Sequence, residues 1–150
     1  MLPQFLSGDP HSDRVRVRYF SLPNKKVLWA NAWYGPGAEG PPAHAHGGSI
    51  AALMDEAMGG VAWLQGHRCL ALEITVKFRK ALPLGTLAQI QSQVEKIDGK
   101  KIYSRAKMNG PDGALYAESH GLFLELEDQA VEQFLQQLQV DHGSQGDDQD

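Results

Sequence analysis

The sequence predicts an α+β domain in which an antiparallel sheet wraps around one long central helix. Three observations carry that expectation. The stretch 48–65 places apolar side chains almost all round a helix, so most of its faces need burial. Two β-rich stretches precede it and four follow. The later segments alternate apolar and polar residues and are separated by Gly, Pro, Asn and Asp, as antiparallel strands are. One helix cannot cover both faces of such a sheet, so a second copy of the chain is the simplest cover for the remainder.

The elements follow in order. Arg14 to Tyr19 alternates basic and apolar residues as an edge or half-buried strand does, and Val27 to Tyr34 follows the Pro23-Asn24 turn signal. Gly and Pro then hold the segment from Gly35 to Gly48 in a loop that leads into the helix. Beyond Gly66, the alternate positions Leu70, Leu72, Ile74, Val76 and Phe78 are expected to form one apolar face. Leu82-Pro83-Leu84-Gly85 turns the chain into a strand marked by Ala88, Ile90 and Val94, which Asp98-Gly99 ends as a hairpin. Ile102, Ala106 and Met108 mark the next strand, and Leu115 to Leu126 the last, with Gly121 a candidate bend or bulge. These four strands read as a meander. A short amphipathic helix with Ala130, Val131, Phe134, Leu135 and Leu138 on one stripe closes the domain.

The chain is expected to form one domain over residues 1–140, followed by an acidic disordered tail over 141–150. The tail holds Asp141, Asp147, Asp148 and Asp150 without Lys or Arg, and the net charge is -4, so the body is neutral. A neutral body gives no support for nucleic-acid binding. No apolar run approaches a bilayer span, and the first residues lack the pattern of a signal peptide. Cys69 is the single cysteine, which excludes an internal disulfide and a Cys-based zinc site. A cytoplasmic address, no membrane and no cofactor are the expectations. His11 and His142 fall in ends expected to be disordered.

The chemistry concentrates in His44-Ala45-His46-Gly47-Gly48-Ser49-Ile50-Ala51-Ala52-Leu53-Met54-Asp55-Glu56. Two glycines at a helix start present backbone N–H groups with no side chain in front, a site for a carbonyl oxygen gaining charge. Asp55 follows two turns on, and its helical neighbours Gly48, Ala51, Ala52, Met58, Gly59 and Ala62 are nearly all small. A carboxylate on a buried helix is costly unless it is hydrogen-bonded or works. By spacing alone a lone helical Asp such as Asp55 is more often a surface residue or structural hydrogen-bonder than a catalyst. Glu56 serves as the control, expected to be structural or solvent-facing. His44-x-His46 has no third ligand at useful spacing, so no metal site is expected.

GPPAHAHGGSIAALMDEAMGG resembles the helix start of hotdog-fold acyl-CoA thioesterases of the phenylacetyl-CoA/4-hydroxybenzoyl-CoA branch. That family sets an Asp or Glu nine positions after the His of an HGG turn, the step here from His46 to Asp55. ITVKFRKALPLG is similar to the strand that follows the helix in the family. The resemblance implies the hotdog fold and hydrolysis of an acyl-CoA thioester, with coenzyme A as part of the substrate. It implies that Gly47 of the His46-Gly47-Gly48 turn donates its N–H to the thioester oxygen, and that Asp55 is general base or nucleophile. Some relatives carry Ser or Thr at the start of the next strand to orient water; Ala71 stands there, with Thr75 expected on the same face as a substitute.

Arg79, Lys80, Lys100, Lys101 and Arg105 are candidate partners of the coenzyme A phosphates. Tyr103 and Ser104 are further substrate-binding candidates, and Trp63, Met58 and Tyr103 could line an acyl pocket. A helix separates Gly48 from Asp55 by about 10 Å, which points to a site shared between subunits. That agrees with the homodimer, or dimer of dimers, the resemblance implies. The rival readings are a hotdog hydratase or dehydratase and a non-catalytic acyl-CoA-binding or regulatory hotdog domain.

Overall fold

The computed structural model describes residues 5–6 and 9–143. Its elements are β1 (Val15–Ser21), β2 (Val27–Tyr34), a 3-10 turn (Pro36–Ala38), α1 (Gly47–Leu64), β3 (Cys69–Phe78), β4 (Leu87–Asp98), β5 (Lys101–Asn109), β6 (Leu115–Glu125) and α2 (Asp128–Gly143). All predicted elements form, within a few residues of their expected ends. α2 runs through Gly143 and so takes in the first residues of the segment expected to be a tail; residues 144–150 lie outside the described part. On α2, Val131 is buried, whereas Ala130 and Leu135 of the expected stripe are exposed.

The six strands make one antiparallel sheet in the order β1-β2-β4-β5-β6-β3. This corrects the expected four-strand meander. Only β4, β5 and β6 follow one another in space, while β3 sits at the far edge beside β6. The segment 79–86 therefore crosses back over the sheet end to reach β4. Alternation identifies strands but says nothing of which edges pair. The β4–β5 hairpin forms as expected, with Gly99 at φ +59.

α1 lies across the inner face and buries Ile50, Leu53, Met54, Ala57, Met58, Val61 and Ala62. Glycines let it sit low. A Cβ at Gly60 would come within 3.0 Å of Leu28, and one at Gly59 within 3.3 Å of Phe123. Gly121 belongs to the same contact. Strand pairing runs unbroken through it, so the expected bend or bulge is absent, and a Cβ there would meet the Phe123 ring at 2.6 Å and the Met58 methyl at 3.1 Å. Ser92, fully buried, donates to the carbonyl of Ala57 at 2.8 Å and ties helix to sheet.

The irregularities lie elsewhere, between Ala71 and Glu73 in β3, between Val94 and Lys96 in β4, and where Met108 and Asn109 of β5 pair with Ala117 and Leu115 at the start of β6. The first one corrects the apolar face expected over 70–78. Directly paired residues point to the same side of an antiparallel sheet. Ile74, Val76 and Phe78 pair with Gly121, Ser119 and Ala117 and face α1. Leu72 is the extra residue, Leu70 pairs with Leu124 on the outer face, and Ala71 pairs with inward-facing Phe123. A bulge inserts one residue and reverses the alternation across it.

No helix among the described residues is long and apolar enough to cross a membrane. Met58, a candidate for the acyl pocket, is fully buried and accepts from the Ser119 hydroxyl at 3.3 Å. Met58→Ala is expected to cost about 2–5 kcal/mol of stability, measured by denaturant unfolding.

Candidate active site

The turn into α1 is braced from three directions. Ala45 N–H donates to Leu82 at 2.8 Å, Leu84 N–H to Ala43 at 3.0 Å, and His46 N–H to Ala38 at 2.7 Å. The buried Leu82 thus couples the crossing segment 79–86 to the turn. Gly40 closes the loop underneath, where a Cβ would lie 2.6 Å from the His46 Cα.

The two glycines differ. His46 is the N-cap of α1, and its Nδ1 accepts the Gly48 N–H at 2.9 Å. An accepting Nδ1 means a neutral ring with its proton on Nε2. The Gly47 N–H has no acceptor among the described residues. The expectation of two free N–H groups is therefore corrected to one: capping chemistry consumes Gly48 and leaves Gly47 open. A Cβ on Gly47 would stand 3.5 Å from the Phe78 ring, so this end of α1 lies against the end of β3. His44 is occupied separately, its Nδ1 lying 2.8 Å from the carbonyl oxygen of Pro42.

Asp55 and Glu56 stand on opposite shoulders of α1. Tyr19 on β1 donates its hydroxyl to Glu56 at 2.6 Å, so Glu56 is structural, as its place as control anticipated. Burial, and then this bond to Glu56, push the Tyr19 phenol far above its ordinary range. Asp55 faces the β6–β3 side, half-buried, with no hydrogen-bond donor to its carboxylate among the described residues. Burial raises its carboxyl above the ordinary aspartate value. Its charge reaches Cys69 at the start of β3, whose thiol burial, Glu125 and Asp55 together push up to about 11. The Trp63 indole donates to the Cys69 carbonyl at 3.1 Å, so α1 runs antiparallel along β3 with Asp55 beside its middle. Trp63 is itself exposed.

The remaining candidates are divided by the sheet. Arg79 and Lys80 stand just beyond Phe78, at the Gly47 end; Arg79 pairs with Glu118, and Lys80 lies 5.5 Å from the Tyr116 ring centroid. Lys100 and Lys101 are at the opposite end, and Lys100 pairs with Glu127. Thr75, Tyr103 and Arg105 are on the outer face, the sheet's thickness from α1, with Arg105 Nε 3.4 Å from Glu95. Thr75 pairs with His120, whereas Ala71 faces inward, so the two are on opposite faces and Thr75 does not substitute for Ala71 within its own chain. The bulge at Leu72 is the cause. Ser104 faces inward, 1% exposed, its hydroxyl without a partner among the described residues.

Sequence reasoning missed a cavity of about 820 Å³ beside the helix start, where His46, Gly48 and Ser49 meet Phe5, Leu6, Asp9 and residues 11–15. His11, assigned to a disordered end, is part of its wall, and its N–H donates to Asp9 at 2.9 Å. No periodicity in that segment signals the packing.

The thioesterase superfamily model matches residues 43–117, half of the chain. The chain belongs to the thioesterase superfamily. It is similar to acyl-coenzyme A thioesterase THEM5 of Mus musculus, 44% identical over 66% of this chain and 41% of that protein. Its identity to acyl-coenzyme A thioesterase THEM5 of Homo sapiens is 36%, over 74% of this chain and 45% of the relative. This superfamily chain thus spans less than half the length of those curated relatives. Among solved structures, it resembles the E. coli PaaI protein from the phenylacetic acid degradation operon, with TM-score 0.69 and 15% identity over 74% of this chain and 80% of that one. A hypothetical thioesterase protein with coenzyme A from Streptococcus pneumoniae gives TM-score 0.69 and 14% identity over 73% and 85%. These likenesses establish the hotdog fold.

The unpartnered, desolvated carboxylate sets a stability test. A carboxyl raised in the folded state favours folding most below its ordinary value, and that contribution is lost as pH rises through the folded value. Asp55→Asn is therefore expected to be at least as stable as wild type at pH 7. Any advantage should shrink as the pH falls through the Asp55 range, read by urea unfolding at several pH values.

Proposed function

We propose that the chain hydrolyses acyl-CoA thioesters, with Gly47 N–H holding the thioester oxygen and Asp55 acting as general base or nucleophile. One observation carries this reading. Among the described residues, the helix start leaves one N–H without an acceptor, and the same helix carries one half-buried carboxylate without a donor. The N–H is placed to take the charge that develops on a tetrahedral intermediate. As base the carboxylate takes a proton from water, which attacks the carbonyl carbon and expels the coenzyme A thiolate; as nucleophile it attacks the carbon itself, the thiolate leaves, and water then hydrolyses the acyl-aspartate anhydride. The names of the curated relatives support the substrate class, as do the Streptococcus pneumoniae protein solved with coenzyme A and a Streptococcus mutans protein solved with acetyl CoA. The Streptococcus pneumoniae protein has also been solved with an aspartate and, separately, a threonine replaced by alanine. Those two positions are 16 apart, the same step as from Asp55 to Ala71.

The two groups belong to different subunits in this reading. Eight residues of helix put about 12 Å between Gly47 and Asp55, too far for one thioester carbonyl to meet both. β3 supplies the interface: it is an edge strand of ten residues whose Leu70, Leu72 and Phe78 are more than half exposed, a template for pairing with a second copy. A homodimer joined there, alone or within a dimer of dimers, brings the β3 side of one α1 toward the other chain.

Asp55→Asn is expected to lower turnover about 10²–10⁴-fold, assayed as free thiol released from a panel of acyl-CoAs; near-wild-type turnover would make Asp55 structural. In wild type, kcat/KM should fall on the acid side with a midpoint above the ordinary aspartate value, because the ionised carboxylate is the working form.

Gly47→Pro removes the N–H at a first helical position that tolerates proline, and His46 already has the extended backbone (φ -63, ψ 130) that precedes one. Subunits carrying Gly47→Pro alone or Asp55→Asn alone should be inactive. After mixing and reassembly, activity should return to about a quarter of wild type, since half of the dimers are mixed and each has one intact site of two. No recovery in confirmed heterodimers would place the whole site within one chain.

A further inference from the structure

The neutral charge of the body hides a local excess. Arg14, Arg16, Arg18, Lys25 and Lys26 lie between Asp13 and Glu39 with no acidic residue among them. All but Arg14 belong to the β1–β2 hairpin, at the sheet edge opposite β3. Register settles which way the hairpin side chains point. Tyr19 reaches Glu56 on α1 and its neighbours Ala30 and Ala32 are buried, so the alternate positions Arg16, Arg18, Phe20, Trp29 and Trp33 face outward. There Arg16 lies 4.6 Å from the Trp33 ring centroid, and Phe20 stacks on Trp29 with centroids 6.4 Å apart and planes 8° from parallel.

The turn of the hairpin continues this surface. Its shape is fixed by the Lys25 N–H, which donates to the Leu22 carbonyl at 2.9 Å, and by the Lys26 N–H, which donates to the Asn24 side chain at 3.1 Å. Phe20 is 46% and Leu22 61% exposed, beside exposed Lys25 and Lys26. The neighbouring strand brings no opposing charge, since Trp29 pairs with Gln91 and Val27 with Gln93. Beyond those glutamines stand Lys107 and Arg105 of β5. The carboxylates met next, Glu95 and Glu118, are already engaged by Arg105 and Arg79. Arginines on an edge strand have an ordinary use, because charge blunts the edge against pairing. That use does not account for Phe20 and Leu22, which raise the hazard at the same edge. Aromatic rings, a leucine and basic side chains on one turn suit the headgroup layer of a bilayer, where rings sit at the interface and cations meet anionic lipid.

We propose that the β1–β2 hairpin docks the protein peripherally on an anionic membrane surface. Phe20 and Leu22 enter the headgroup layer, and Arg16, Arg18, Lys25 and Lys26 meet the lipid phosphates and carboxylates. A second copy of the chain is disfavoured on this face, because a twofold contact would set like charges opposite one another. A protein partner would seat an anchor residue in a pocket, whereas rings stacked on each other and under Arg16 fill the space an anchor would take. The expectation of no membrane partner rests on spanning segments and on average charge, and peripheral docking depends on neither.

The test is flotation of the full chain with vesicles of phosphatidylcholine alone and of phosphatidylcholine mixed with phosphatidylserine, at low and at physiological salt. Binding to the mixed vesicles, far less to the neutral ones, and weakening with salt are expected. Lys25→Asn with Lys26→Gln should weaken partitioning about 25-fold, at about fivefold per charge; asparagine suits the left-handed backbone at position 25, φ +55. In a Trp63→Phe background only the hairpin indoles remain, and brominated acyl chains should quench them. Phe20→Ser with Leu22→Ser should abolish that quenching. Circular dichroism checks folding, and either pair of substitutions alone suffices. No binding to either vesicle, equal binding to both, or binding and quenching unchanged in a folded double variant overturns the proposal. So does capture by polyglutamate with none by vesicles, which assigns the face to an acidic protein. A lower mass by light scattering when hairpin residues are replaced assigns it to contact between copies and overturns the proposal as well. No acyl-CoA enters the assay, so its outcome is independent of the thioesterase reading.

Discussion

The fold depends on burying α1, whose surface is too apolar to face water on more than a narrow stripe. The sheet meets that demand by laying its inner face against Ile50, Leu53, Met54, Ala57, Met58 and Val61. Close approach requires glycine on both sides of the contact: Gly59 and Gly60 on the helix, Gly121 on β6. Each position lacks room for a methyl group without movement of Leu28, Phe123 or Met58. Dispersion contacts at this range fall off steeply, so a helix held farther out would lose much of the core's stabilisation.

Sinking the helix this far determines the electrostatics of its two shoulders. Adjacent carboxylates on one helix meet different strands. Glu56 meets the Tyr19 hydroxyl and is satisfied, at the expense of a phenol held neutral. Asp55 meets the small-residue stripe on the β3 side, where burial raises it and no donor of the described residues offsets the cost. An unsatisfied, desolvated carboxylate is a liability for folding and an asset for reaction, the exchange commonly found at functional sites. The same division appears at the helix start, where His46 satisfies Gly48 and leaves Gly47 open.

The far-edge position of β3 links these features. Because β3 follows α1 but pairs with β6, the chain must return across the sheet end, and the return segment carries Leu82 and Leu84 against the turn that holds His46. The brace on the His46 turn is thus a by-product of topology. The bulge at Leu72 has the opposite effect on expectation: it turns Ala71 inward and Thr75 outward and leaves Leu70 on the outer face, so an edge strand that looks amphipathic in one register exposes apolar residues to both sides.

The sequence by itself determined the elements, the buried helix and the glycine turn at its start. Helical and strand periodicities depend on local spacing, and the step from His46 to Asp55 is a property of the chain. It also separated Asp55 from Glu56 as reactive candidate and control, because the small residues around Asp55 are visible at helical spacing. The tertiary structure alone decided which N–H is free, since an N-cap bond depends on a side-chain rotamer. It alone decided the strand order and the face of every β3 residue, since one bulge reverses an alternation that continues unbroken in the letters. The cavity wall at Leu6, His11 and Ser12 was likewise invisible, because the residues before β1 carry no periodicity and take their place from the burial of Leu6 and from the Gly35 and Gly37 N–H groups that bond Arg14 and Asp13.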